Sequence, residues 1–375
     1  MPSISDLTAE APVEAWVDPR QKNAERAAAV SKTSGYRSRP LQVTWEVTNS
    51  NNWKPVRARA ARKFQQFSTA EGFHLIEQIA EMHVPLLAFT GGDPLTRPDL
   101  QPLIEFASEH SVRTSLTLLP MVKVEGESIA ELKACGLMRV AFWLNGSTPG
   151  LNDRFWAIPG LYRRTIEAIG LCHEVQLPVQ VNTMLSRHNF QNLDPMIELL
   201  TRLDVSLWHV FFYVPAKREE AGEMLNAEEH EQVFAKLYAA SRKVNFQIKT
   251  TEGQHYQRYL LQQRVRESRG RLSEATAVPY APRGVNDGKG FVFINSCGEV
   301  YPSRFLPLSG GNVTKQSLAE IYCESQLFVS LREVSRLKGK CGRCPVRTVC
   351  GGSRARAYVM SGDMFASDPC CAYEP

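Results

Sequence analysis

From Pro40 to Val214 the chain alternates short apolar runs with amphipathic stretches, and this alternation constrains the fold more than any other feature. LQVTWEV, VPLLAFT, RTSLTLL, MRVAFWL, PVQVNTM and WHVFFYV read as strands, rich in β-branched and aromatic residues. Between them, Thr69 to Met82, Asp99 to His110, Ser128 to Cys135, Tyr162 to Glu174 and Phe190 to Leu203 carry apolar residues at helical spacing. Strands alternating with helices are joined by crossovers, so the sheet is expected to be parallel. A barrel and an open doubly wound sheet both satisfy the pattern. In either one the loops after the strand C-termini build the site.

The flanks differ. Residues 1–38 are rich in Ala, Ser, Pro and charge and read as a loosely packed arm. Residues 39–266 hold the strand–helix units, ending in two helices, Ala227 to Lys243 and Glu252 to Arg266, split by the short strand QIKTT. A polar linker at 267–289 leads to a last unit, 290–375, which opens with FVFINSCGEVYPS, a hairpin around a Ser-Cys-Gly turn. A short helix at Ser317 to Cys323 follows.

That last unit ends in KGKCGRCPVRTVCGGSRARAYVMSGDMFASDPCCAYEP. Cys341, Cys344 and Cys350 form C-x2-C-x5-C, and Cys370 and Cys371 follow after a loop. Thiolates gathered this closely select zinc or an iron–sulfur cluster. A zinc ribbon pairs two C-x2-C knuckles; here the second is missing, which favours a [4Fe–4S] cluster, with zinc as the alternative. Of nine cysteines, five fall in the last 35 positions, unlike a secreted disulfide framework. Cys135, Cys172 and Cys323 sit singly in helical patterns and read as plain thiols. A net charge of +5 on 375 residues does not argue for nucleic acid. No apolar run has the length of a membrane span and no signal peptide is seen, so the expected location is the cytoplasm.

A strand ending in EVT, a strand ending in TGGDP, six βα units and a C-terminal cysteine module together resemble radical SAM proteins with a SPASM or twitch extension. The resemblance covers residues 40–375. It implies an α/β fold: a partial (β/α)6 TIM-like barrel with a small C-terminal iron–sulfur module. Such proteins cleave S-adenosylmethionine at a [4Fe–4S] cluster held by C-x3-C-x2-C after the first strand. By the same resemblance Gly91, Gly92 and Asp93 match the motif that holds the amino group of S-adenosylmethionine. Asn145 stands where relatives often carry Asp, and Asn182 closes the fifth strand. A tight strand-to-helix turn capped by Asp93 explains GGDP equally well.

The sequence departs from the family where the chemistry sits. The family's three cysteines would fall at Asn51, Pro55 and Ala58, and no cysteine occurs before Cys135. Of the two auxiliary clusters of a full SPASM domain, the first lacks ligands, with Ser303 and Arg354 in cysteine positions. The second is complete: Cys341, Cys344, Cys350 and, from the spacing before AY, Cys371 ahead of Cys370. Cys297 is given no ligand role. Arg354 and Arg356 stand near the cluster, with surface arginines as the default reading. Lys54, Arg57, Arg59, Arg62 and Lys63 place five positive charges after the first strand, as a solvated loop or an anion site. The expectation is a radical-SAM-like protein with one [4Fe–4S] cluster and no radical chemistry, S-adenosylmethionine binding being left open. Its partner would be a peptide or cofactor precursor, or an active relative. The alternatives are an active maturase and a non-radical enzyme with a basic anion site.

Overall fold

The computed structural model describes residues 38–48, 66–267 and 285–375. The N-terminal arm and the basic stretch Lys54 to Lys63 lie outside these residues, as do positions 51, 55 and 58. Seven parallel strands follow one another in chain order: β1 (Gln42–Glu46), β2 (Leu86–Thr90), β3 (Arg113–Leu118), β4 (Leu137–Trp143), β5 (Val179–Leu185), β6 (Leu207–Phe212) and β7 (Gln247–Thr251). Helices cross over between them: α1 (Thr69–Glu81), α2 (Leu100–Glu109), α3 (Gly126–Ala134), α4 (Pro149–Trp156), α5 (Leu161–Glu174), α6 (Leu193–Arg202) and α7 (Ala227–Ser241), with α8 (His255–Glu267) after β7.

Each strand alternates. Val43, Trp45 and Val47, then Val140, Phe142 and Leu144, then Trp208, Val210 and Phe212 are buried under the helices in one core cluster. Their neighbours therefore point to the other face. The parallel run curls until its first and last strands come within side-chain reach on that face: Lys249 Nζ on β7 donates to Gln42 Oε1 on β1 at 3.5 Å, although β2 to β6 lie between. An open, doubly wound sheet would hold these groups far apart, so the fold is the partial barrel.

The last unit does not begin a new sheet. β8 (Phe291–Ile294) pairs parallel with β1 on its free edge, and the hairpin partner β9 (Glu299–Tyr301) and β10 (Gly311–Asn312) extend it antiparallel. Four helices complete the chain: α9 (Leu318–Glu324), α10 (Gln326–Arg332), α11 (Gly339–Arg343) and α12 (Arg354–Ser361). Among the described residues no helix is long and apolar enough to cross a membrane.

Candidate functional site

Cys341 sits on α11, Cys344 is that helix's C-cap, and Cys350 follows a short turn. Cys371 returns from the tail, and all four line one cavity of about 320 Å³, open mouth included, with Lys340 and Arg347 at its edge. Cys370 turns the other way: its Sγ donates to Leu225 O at 3.3 Å. The next-door cysteines thus have different tasks.

Backbone and side-chain N–H groups aim at the sulfurs. Gly352 N donates to Cys350 Sγ and Asp368 N to Cys341 Sγ, both at 3.4 Å, and Arg354 Nη2 approaches Cys341 Sγ at 3.8 Å. Such donors favour thiolate over thiol. Burial works against ionisation, pushing Cys344 and Cys350 up and Cys371 up to about 11. A bound cation reverses that balance and deprotonates the thiols outright. Leu261, Val346 and Val349 pack beside Cys350 as an apolar wall. Among the described residues no group of three or more His, Cys, Asp or Glu is placed to hold a single metal ion, which speaks against zinc; four thiols lining one cavity, N–H donors aimed at sulfur and an apolar wall suit the larger iron–sulfur cluster.

The loop is held by a buried ionic bolt. Arg356 and Asp368, both fully buried, pair at 3.3 Å. Arg356 also donates to Glu252 O on the barrel, at 2.9 Å through Nη1. Asp368 accepts from Ser353 N at 2.8 Å and Cys370 N at 3.0 Å. The guanidinium beside Asp368 holds its carboxyl far below the usual carboxylate range, against burial. Arg354 is buried too, donating to Met364 O at 2.9 Å and Ala366 O at 2.8 Å. This corrects the expectation of surface arginines: both are interior, and both clamp the tail. Ser303, in the other non-cysteine position, uses its Oγ to accept from Phe305 N and Leu306 N at 3.2 Å each.

The strand ends carry a second group of residues. Gly91 is where the chain leaves β2. A Cβ there would stand 2.2 Å from Thr48 Oγ1, so only glycine fits against the end of β1. Asp93 caps the following turn, accepting from Leu95 N at 3.2 Å, and burial raises its carboxyl; Gly92 is buried beside it. Asn145 Oδ1 accepts from Met184 N at 2.7 Å, tying the end of β4 to β5, while its Nδ2 is buried with no partner among the described residues. Asn182 Oδ1 accepts from Gln180 Nε2 at 2.6 Å. Asp93 and Asn145 thus stand at strand ends, whereas Asn182, expected to close the fifth strand, is the middle residue of β5, which runs on to Leu185; Asp93 and the oxygens of both asparagines already have partners within the fold.

The fold has matches among known proteins. A family model described as the radical SAM superfamily matches residues 48–200, and one described as an iron–sulfur cluster-binding domain, SPASM, matches 286–345. The AdoMet-dependent heme synthase of Methanosarcina barkeri is 31% identical, aligned over 90% of this chain and 97% of that one. That of Nitratidesulfovibrio vulgaris is 32% identical over 89% and 92%.

The chain belongs to the radical SAM superfamily.

Among solved structures, Streptococcus suis SuiB bound to S-adenosylmethionine superposes with TM-score 0.67 at 14% identity, over 90% of this chain and 78% of that one. Native anSMEcpe with bound AdoMet gives 0.67 at 14%, over 88% and 94%. At that identity the likeness speaks for the fold, a radical SAM barrel with a C-terminal SPASM domain. Within residues 48–200 this radical SAM chain has two cysteines, Cys135 and Cys172. Cys135 caps the C-terminus of α3, at the opposite end of the barrel from the strand C-termini, and Cys172 is buried in α5 under the sheet.

Proposed function

We propose that this chain is a radical SAM barrel without its own radical-generating cluster, carrying one auxiliary [4Fe–4S] cluster on Cys341, Cys344, Cys350 and Cys371. It would bind a peptide or cofactor precursor, or serve an active relative. One observation carries the reading: four thiols surround a cavity at the carboxyl end, while the positions after β1 that would hold the catalytic cluster are Asn51, Pro55 and Ala58. Neither Pro nor Ala offers a donor to iron. When bound, the auxiliary cluster would supply one-electron transfer or a structural cross-link. Arg356 and Asp368 would hold its loop, and Arg354 would donate toward the sulfur of Cys341. The choice between precursors leans toward a cofactor precursor, since the full-length relatives are named heme synthases and another is named Fe-coproporphyrin III synthase. Relatives named PqqA peptide cyclase keep the peptide arm open.

The second reading, an active maturase, is favoured by the extent of the heme synthase alignment. Anaerobic purification with iron and sulfide counting separates the two. About four irons per chain and no 5′-deoxyadenosine from S-adenosylmethionine are expected; about eight irons with deoxyadenosine release would favour the second.

A further inference from the structure

Two acids are buried where the barrel meets the carboxyl-terminal unit. Glu252 follows directly on β7 and is 1% exposed; Asp287, in the turn before β8, is 3% exposed. Three segments converge on them. The Glu252 carbonyl takes the guanidinium of Arg356, and its Oε2 accepts from Ser353 Oγ, just past the cysteine loop. Asp287 Oδ2 accepts from Arg354 N and Ala355 N, both at 3.1 Å, at the head of α12. Its neighbour Asn286 donates from Nδ2 to Cys350 O at 3.2 Å and to Gly352 O at 2.7 Å. Glu252 has φ +57°, a left-handed conformation that a residue with a side chain keeps only where its surroundings impose it.

Counting donors leaves a shortfall of one. Asp287 Oδ1 is buried with no donor among the described residues. Ser353 cannot supply it: its one hydroxyl hydrogen goes to Glu252, while its oxygen accepts from Arg356 N at 2.9 Å. Arg356 turns its Nε to Asp368, and Arg354 sends its guanidinium to Met364 O and Ala366 O. His255 on α8 faces Asp368 at 3.9 Å, and burial holds both it and His230 neutral. Lys289 reaches to Thr348 O at 3.0 Å.

The missing hydrogen comes from the other acid. Glu252 hydrogen-bonds the Asp287 carboxyl, and a bond between two carboxyls needs a proton on one of them. The two N–H groups of α12 keep Asp287 as the acceptor. Burial first, then the charge of Asp287, raises the Glu252 carboxyl well above the ordinary range, so Glu252 carries the proton.

We propose that one proton, shared by Glu252 and Asp287, latches the cysteine loop to the barrel. Hydroxide opens the latch by taking that proton as water; no other covalent bond changes and no electron moves. Two carboxylates are then left facing each other away from water, and their repulsion parts the β7–α8 turn from the loop. The stability that neutral Glu252 supplies is full below the ordinary value of 4.5 and is lost as pH rises through its raised value in the fold. The latch is therefore closed on the acid side and opens toward alkaline pH. The proposal rests on the cluster reading only in its iron readout.

Infrared spectroscopy of the full chain at pH 7 tests the proton. A protonated-carboxyl band is expected that survives Asp93→Asn, which removes another carboxyl that burial raises, and is absent from Glu252→Gln. A native chain without the band would overturn the shared proton. Transfer of iron to a chelator tests the latch. In the anaerobically reconstituted native chain it is expected to be at least about tenfold faster at pH 9 than at pH 6, the factor that one pKa unit is worth. Glu252→Gln, whose amide donates to Asp287 and accepts from Ser353 at any pH, is expected to show little acceleration. Equal acceleration in both would overturn the latch. If Glu252→Gln does not fold, the native band decides: it must fade over the pH range in which iron loss quickens, and a band that persists to pH 9 while iron loss quickens overturns the latch. A chain that takes up no iron would unseat the cluster reading and leave the infrared result standing.

Discussion

Cys370 and Cys371 are neighbours in sequence and differ only in direction. Cys371 faces the cavity, whereas the Cys370 thiol is spent on Leu225 O. Cys371→Ser is therefore expected to lower iron per chain and bleach the cluster absorbance. Cys370→Ser should keep both and lose about 1 kcal/mol of stability, since a hydroxyl can donate to the same carbonyl at some packing cost. Equal iron loss in both variants would break the ligand assignment. A different residue sets a pH dependence. His230 stacks on Phe212 at 4.8 Å and donates from Nδ1 to Asn226 O at 2.8 Å. Burial, then the charge of Arg356, lowers it from 6.5 to about 4. The unfolded chain takes the proton first on acidification. The stability gained from a neutral His230 is full above about 6.5, and it is lost as pH falls toward 4, by about 3 kcal/mol in total. Denaturant melts at pH 7 and pH 5 should diverge less in His230→Phe than in the native chain. Identical slopes would show that the imidazole is not neutral in the fold.

At the scale of elements, the turn between Cys350 and α12 decides whether the four thiols can meet. Gly352 has φ +66°, and a Cβ there would lie 2.7 Å from Arg354 Nη2 and 2.8 Å from Asp368 Cβ. Gly352→Ala should cost about 2 kcal/mol and lower iron content, because both arginine and aspartate would have to leave the positions from which they hold the loop. Unchanged iron and melting would mean that the turn can re-form without its ligand loop. The strands, most helices and the C-x2-C-x5-C set were legible because period-two runs and thiol spacing survive in a bare string. α4 was not: Ser147-Thr148-Pro149-Gly150 reads as a turn, yet Thr148 caps and Pro149 starts a helix there. The burial of Arg354 and Arg356 was hidden because GGSRARAY has no apolar period, and only the buried carboxylate of Asp368, twelve residues beyond Arg356, makes an interior arginine tolerable. Lys249 in QIKTT is on the sheet's edge strand, and only its register with His209 shows that it shares the inner face.

Taken whole, the molecule keeps the scaffold of a radical SAM enzyme. The parallel strands run in order, β8 seals the free edge of β1, and Gly91 presses on Thr48 just past the end of β1. Arg97 still braces that corner, donating to Val47 O at 3.1 Å and Phe67 O at 3.0 Å while lying over Trp45. If thiol supply is the sole deficit, restoring it should restore a binding site. The triple variant Asn51→Cys, Pro55→Cys and Ala58→Cys, reconstituted anaerobically, is expected to rise from about four irons per chain to about eight, with a second cluster signal in EPR. An added signal that changes shape with S-adenosylmethionine would indicate that the strand ends around Asp93 and Asn145 still accept the cofactor. A count that stays near four would mean that the divergence reaches past the three ligand positions to the shape of the loop that carries them.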